Sequence, residues 1–358
     1  MASSPESSAR IEAARGSGIR FVQLQFTDII GHVKAVTIPI HRLEESVKHG
    51  TWFDGSSIEG FTRIAESDQY LMPDMDTFAE IPWQRGSGPR GTARVICDVF
   101  TPNGEPFVGD PRYVLRRQVE KAREMGYVVN FGPELEFFLF RRSADGRIEP
   151  LPHDQAGYFD FSTDLAQEIR QDMVDALEAL GIKVEAAHHE VAVGQHEIDF
   201  EYSDALTTAD NAITFKFALK AIAQQHGLYA TFMPKPIHGI NGSGMHAHQS
   251  LWSIAEQRNA FAAMIAAGLD GVERGLTLAE PVEESLFEMD ATRIAAKGIR
   301  ELPGTLGEAI DELERDPVIG EALGDHVLSH YLAAKRAEWD EYRTQVTGWE
   351  LDRYLEAF

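Results

Sequence analysis

The stretch GPELEFFLF, Gly132–Phe140, decides how this chain is read. Side chains alternate along an extended strand, so Glu134 and Glu136 fall on one face. The Phe and Leu residues that follow are apolar on both faces, which marks a central, buried strand. Two like charges side by side on such a strand repel each other and lose their water. They require cations. A divalent metal would serve and so would arginine partners, and this stretch by itself leaves both open.

Two further stretches add to it. HHEVAVGQHEIDF (188–200) carries Glu190 and Glu197 on either side of a turn at Gly194, and a hairpin brings such strand-end carboxylates together. NGSGMHAHQS (241–250) places His246, His248 and Ser250 at alternate positions, on one strand face. Its NGSG portion is a turn in which backbone approaches something closely. Four Glu and two His on strands that can share a sheet form a metal-ligating set. Hard oxygen donors outnumber imidazoles, which favours Mg2+ or Mn2+ over zinc. Carboxylates around divalent ions suit a clamp on phosphate oxygens. No GxxxxGK[ST] phosphate loop is present, so a nucleotide would be held in another way.

Working outward, the chain has 358 residues and a formal charge of -24, which argues against nucleic acid as a partner. The acids are dispersed, and 9 Lys stand against 24 Arg. That balance suggests adaptation to high salt, where screening makes self-repulsion tolerable. No apolar run reaches the length of a membrane span, and the N-terminus lacks the apolar centre of a secretory signal. A single cysteine, Cys97, in the strand-like ARVICDVF, fits a core position and a reducing cytoplasm. Residues 1–17 read as a flexible tail leading into a short helix near Ile11. Residues 18–103 read as a small antiparallel sheet domain with a helix. IRFVQLQFTDIIG and HVKAVTIPI form its hairpin, and HRLEESVKHG a helix stopped by Gly50. From about Pro111 helices and strands alternate: a helix capped by Asp110 with Pro111 at its first position, an amphipathic helix capped by Thr163, and a long helix over 204–227. After Ser253 nearly everything reads as helix.

In order along the chain, FDGSSIEGF (53–61), GPELEFFLF (132–140), HHEVAVGQHEIDF (188–200), ATFMPKP (230–236) and NGSGMHAHQSL (241–251) resemble the motifs of type I glutamine synthetases. SSIEGFTRIAESDQYL is similar to their alpha subgroup. The resemblance covers nearly everything from residue 18. It implies an α+β fold, with a beta-grasp-like N-terminal domain (18–103) and a larger α/β, guanido-kinase-like catalytic domain with C-terminal helices (104–358). The implied reaction is ATP-dependent ligation of ammonia to L-glutamate through a γ-glutamyl phosphate. By motif match, Glu136, Glu190 and Glu197 would hold the ion nearer glutamate, and Glu134 and His246 the ion on the ATP phosphates. His248, Ser250 and Tyr202 would sit by the nucleotide, and Asn241 and Gly242 by glutamate. Asp54 and Ser57 would form the ammonium site, presented to a neighbouring subunit in a ring assembly of twelve. Arg63 matches an arginine of glutamine feedback. Phe287 stands where the beta subgroup carries an adenylylated tyrosine. WELDRYLEAF fits either a segment buried between subunits or a helix packed on its own chain.

One feature departs from the pattern. Between Trp252 and Asn259 the family carries several dozen further residues, with arginines for glutamate and the transferred phosphate, an Arg and a Lys for ATP, and the sixth metal ligand. The resemblance therefore implies a catalytic sheet with part missing, and a site that keeps its carboxylates without those arginines. Two other readings follow: a nucleotide- and metal-binding subunit without catalysis, and a ligase joining glutamate to a different amine.

Overall fold

The structure, a computed structural model, describes residues 5–56, 58, 68–84, 91–143, 148–253, 256–258, 262–277, 281–286 and 289–354. It divides into two compact units, residues 1–265 and 266–358.

The first unit opens with a helix, α1 (Pro5–Gly16), which contains Ile11, where the sequence reading places a short helix, and extends into the stretch read as a tail. Ile11 and Ala14 on this helix are buried in the N-terminal core, and their burial is what orders it. A five-stranded sheet follows, in the order β2 (Val33–Pro39), β1 (Ile19–Thr27), β5 (Gly91–Phe100), β4 (Asp68–Glu80), β3 (Thr51–Asp54). The β1–β2 hairpin pairs as expected from its alternation. The central β1–β5 pair is parallel, and the other pairs are antiparallel. Cys97 is buried in β5. The helix α2 (Leu43–His49) caps the sheet through Leu43 and ends at Gly50, whose φ of 74° suits glycine.

The joint to the next sheet is ionic. Helix α3 (Pro111–Glu124) begins as the sequence predicts, with Asp110 accepting from the Arg112 amide. The Arg112 side chain, only 8% exposed, then meets Asp74 of β4 at 2.7 Å, Asp98 of β5 at 2.6 Å and Asp210 at 2.9 Å. Asp210 lies on the long helix α5 (Ala205–Gln225), so one guanidinium ties the N-terminal sheet to the catalytic domain.

The second sheet is built on one strand, β6 (Tyr127–Arg142), which contains the GPELEFFLF stretch. β12 (Met245–Ser253), β9 (Gln195–Phe200), β10 (Ser203–Asp204), β11 (Leu228–Thr231) and β7 (Ile148–Pro152) all pair antiparallel with it. β8 (Val184–His189) extends the sheet beyond β9. One face carries Leu135, Phe137, Leu139 and Ile198, packed against α5 and α4 (Gln167–Ala179) through Phe215, Leu219, Met173 and Leu177. That face and its helices form the main core, which leaves the carboxylates on the other face. Two expectations are corrected. The helix α4 starts at Gln167, not after Thr163, because Asp164 is taken up by the Ala166 amide and Arg170. And residues after Ser253 are not all helical: Glu256–Arg258 form a short strand, β13, against β12. Among the described residues the sheet ends on that side at β13, where the sequence reading places the absent family segment. The helix α6 (Ala262–Glu273) follows.

The second unit is helical. Its helices are α7 (Ala291–Ala296), α8 (Leu306–Arg315), α9 (Pro317–Leu323), α10 (Asp325–Tyr342) and α11 (Gly348–Tyr354). Gly307 lets α8 lie against the Trp339 indole of α10, 2.7 Å from where a Cβ would stand. Trp349 and Leu351 of α11 are exposed in the single chain, with the Arg353 guanidinium 5.5 Å over the Trp349 ring; Leu355 and Phe358 lie outside the described residues.

Replacing Arg112 with Met takes the cation from Asp74 and Asp210, while Asp98 keeps Arg116 at 2.8 Å. The expected cost is about 3–5 kcal/mol, read as a fall in the denaturant midpoint. A midpoint within error of the parent would show that the joint contributes little.

Candidate active site

Antiparallel pairing sets the site. Residues directly opposite each other on neighbouring strands project to the same face. His246 of β12 faces Glu134 of β6, which faces Asp199 of β9. Two residues along, Glu136 of β6 faces Glu197 of β9, which faces His188 of β8. The result is two rows on one sheet face, each with an imidazole at one end and two carboxylates beside it. Glu190 follows just after β8. Its amide donates to the Gln195 carbonyl at 2.8 Å across the hairpin that turns at Gly194, where φ is 68°.

The side chains converge. His246 Nδ1 and His248 Nε2 lie 3.0 and 2.9 Å from the two oxygens of Glu134. His188 Nε2 is 3.1 Å from Glu190 and 3.6 Å from Glu197. Donor atoms of Glu134, Glu197 and His246 lie within 4.8 Å of one another, and so do those of His188, Glu190 and Glu197. Glu136 stands directly opposite Glu197. Its carboxylate accepts from Gln195 Nε2 at 2.5 Å, and Gln195 also donates to the Gly242 carbonyl at 3.0 Å. Gly244 is close behind: a Cβ there would stand 2.8 Å from Glu136 Oε1.

The crowding shows in the acidities. Burial, then the charge and hydrogen bonding of Asp199, then Glu136 and Glu190, push the Glu197 carboxyl up to about 8. Burial and the charges of Glu190 and Glu134 raise Glu136, against the Gly244 backbone and His246. Burial raises Asp199 too. Its Oδ1 is buried with no hydrogen-bond partner. A carboxylate oxygen left in that state, among acids that resist ionising, is what a divalent cation would satisfy, and the oxygen-rich donor set suits Mg2+ or Mn2+.

A buried layer supports the cluster from the opposite face. His189 Nε2 is 3.0 Å from Asp154 Oδ1, and its Nδ1 is 2.7 Å from the Glu190 carbonyl. Both partners are acceptors, so the ring donates from both nitrogens and is an imidazolium. Burial lowers its affinity for the second proton, but the bonds to Asp154 and Glu190 outweigh that and raise it. Burial would raise Asp154; the His189 hydrogen bond and charge prevail and hold it at about 2. The pair fixes the backbone of Glu190.

Tyr202, His248 and Ser250 line one cavity of about 470 Å³ together with Glu134 and Asp199. Asn241 is exposed, in the turn that leads to Gly242 and Gly244. Asp54 is exposed at the end of β3, where the Ser56 hydroxyl and amide donate to it and lower its pKa. It makes no hydrogen bond with the carboxylate rows. Ser57, Arg63 and Phe287 lie outside the described residues. The sequence reading missed Asp199, His188 and Gln195. The signal for Asp199 was present: in EIDF it stands two residues after Glu197, hence on the same face. His188 and Gln195 became visible only through the strand register.

Glu197 binds its proton more tightly in the folded chain than an ordinary carboxylate. Its contribution to stability is therefore full below about pH 4.5 and is lost as pH rises through about 8. In EDTA the thermal midpoint should fall across that window, less steeply in Glu197→Gln; equal slopes would contradict the assignment. Gly244→Ala should displace Glu136 and weaken Mn2+ binding about tenfold, or roughly 1.4 kcal/mol, with little change in melting. Unchanged affinity would mean that Glu136 yields freely.

Comparison with known proteins places the chain in a family. The family model described as glutamine synthetase, beta-Grasp domain, matches residues 18–102. The model described as glutamine synthetase, catalytic domain, matches in two pieces, 108–262 and 259–354. The glutamine synthetase of Thermus thermophilus is 44% identical over 438 aligned positions, covering 97% of this chain and 98% of that protein. That of Halobacterium salinarum is 42% identical, covering 98% and 96%. Among solved structures, a GmaS/ADP complex is 25% identical with a TM-score of 0.86, covering 97% of this chain and 99% of that one. The Thermus alignment spans 438 positions against 358 residues here, so at least 80 positions have no counterpart, and the catalytic-domain match breaks at 259–262. With both domains matched and the relatives covered almost end to end, this chain belongs to the glutamine synthetase family, ligases that join ammonia to glutamate.

Proposed function

We propose that the two rows on the β6 face form the phosphoryl-transfer half of a glutamate–ammonia ligase, using Mg2+ or Mn2+ at two positions. The observation that carries this is the convergence of Glu134, Glu197 and His246 beside Glu190 and His188, next to a cavity lined by Tyr202, His248 and Ser250. Glu134 lines that cavity, and with His246, 3.0 Å from its carboxylate, would hold the ion on the ATP phosphates. Glu190 and Glu197, with Glu136 brought in from Gln195, would hold the ion nearer glutamate. When bound, such ions neutralise the phosphate and carboxylate oxygens that must approach each other. The chain's own residues do the positioning. Tyr202, His248 and Ser250 orient the nucleotide, and Asn241 and Gly242 present the turn that receives glutamate.

Asp54 and Ser57 would form the ammonium site. An acid there attracts the cation and accepts its proton, leaving the ammonia lone pair to displace phosphate. Asp54 is held as a carboxylate by Ser56, as that role requires. Its exposed place on the N-terminal sheet supports presentation to a neighbouring copy in a homo-oligomer. Arg63 would report glutamine in feedback. The family's substrates are L-glutamate, ammonium and ATP. No described helix is long and apolar enough to cross a membrane, and a cytoplasmic setting suits the lone buried thiol.

A second reading has its own observation. The catalytic-domain match breaks where the family carries the arginines that stabilise the transferred phosphoryl group, an effect of order 10³–10⁵ in rate. A metal- and nucleotide-binding subunit without catalysis would show this pattern. A ligase using another amine is a third possibility; the GmaS structures bear on it only through their overall likeness.

The test is ammonium-dependent phosphate release by the purified chain with ATP, glutamate and Mg2+ or Mn2+, at low and high KCl, with Glu136→Ala as the blank. Release that disappears in the variant supports ligation. A folded chain that binds Mn2+ and releases no phosphate supports the binding subunit.

A further inference from the structure

The two rows are related in a way that the family motifs do not anticipate. In the first, the imidazole of His246 stands opposite Glu134, which stands opposite Asp199. In the second, the order runs the other way: Glu136, then Glu197, then the imidazole of His188. Each row thus ends in one imidazole, at opposite edges of a three-strand patch. His246 is the imidazole already assigned to an ion. His188 has no assigned part.

Its surroundings are those of a held ligand. The His188 side chain is 20% exposed, against 64% for His246 and 71% for His248. Its Nε2 points at both Glu190 and Glu197, 3.1 and 3.6 Å away. The Phe159 ring lies 4.8 Å from the imidazole and the Tyr158 ring 5.8 Å. Phe159 reaches that position with a φ of 58°, a left-handed conformation that costs a bulky residue energy. Its amide is anchored on the His189 carbonyl at 3.2 Å. Backbone strain is therefore accepted where an aromatic ring fixes this imidazole. A His188 that served only to neutralise surface acid would need no such support.

We infer that His188 is a nitrogen ligand of the ion held by Glu190 and Glu197, the counterpart in the second row of His246 in the first. This rests on the reading above that the cluster binds divalent ions. The consequence is chemical. The ion nearer glutamate then has an imidazole among its donors, which shifts preference from Mg2+ towards Mn2+ and other transition ions. It also supplies a donor at the second position that does not depend on Glu136, which the structure shows occupied by Gln195.

The experiment uses the full chain, Mn2+ alone as the probe, and pulsed electron paramagnetic resonance to detect nitrogen coupled to the metal. The parent chain should bind Mn2+ and show nitrogen modulation. In the double variant His246→Gln, His248→Gln the modulation should persist, because His188 remains, and adding His188→Gln should abolish it while Mn2+ still binds to the carboxylates. Modulation already absent in the double variant, with Mn2+ bound, overturns the assignment of His188 and leaves the metal site standing. A folded parent chain that binds no Mn2+ overturns both. The deciding double variant keeps His188, so a failure of the triple variant to fold does not remove the test.

Discussion

Everything at this site follows from like charges placed where water is scarce. Glu134, Glu136, Glu197 and Asp199 share one face of two adjacent strands, with Glu190 at the hairpin. Sheet pairing forces them together, and the packing of the opposite face on α4 and α5 prevents the strands from moving apart. The imidazoles of His188, His246 and His248 lie within hydrogen-bond distance of Glu190 and Glu134 but leave Glu197, Glu136 and Asp199 crowded. The crowding appears as carboxyl groups that hold their protons, above all Glu197. The fold thus keeps an electrostatic deficit that a doubly charged ion fits.

Much of this was legible in the sequence because the side-chain period of a strand is two. Glu134 with Glu136, and His246 with His248 and Ser250, could be put on common faces by counting. Gly194 and the Gly242–Gly244 turn announced themselves as sharp backbone. The start of α3 followed from Asp110 and Pro111. What counting could not supply was register. Which residues stand opposite Glu136 and Glu197 depends on how the hairpin closes, so His188 and Gln195 were passed over, whereas Asp199 could have been counted from Glu197. The helix near Ile11 was legible but not its full extent, because α1 is weakly amphipathic and packs through Ile11 and Ala14 on a sheet distant in sequence. The strand at 256–258 forms only because β12 offers it an edge.

The junction after Trp252 separates two kinds of function. The carboxylates and imidazoles of the two rows come from β6, β8 and β9, the turn after β8, and β12, all before it. In the family, the residues that hold the anionic substrates through arginine come from the segment with no counterpart here. With its paired rows of carboxylates, the remaining site suits positive charge. It has less with which to stabilise phosphate as it moves between oxygens.

The Arg112 joint has a consequence for the medium in which the chain works. A surface with a formal charge of -24 repels itself, and that repulsion fades as ions accumulate around it. The guanidinium that gathers Asp74, Asp98 and Asp210 is withdrawn from that atmosphere. Brine can relax the outer shell without loosening the bolt between the two sheets. A chain so constructed changes its solubility with salinity while the alignment of its working parts stays fixed.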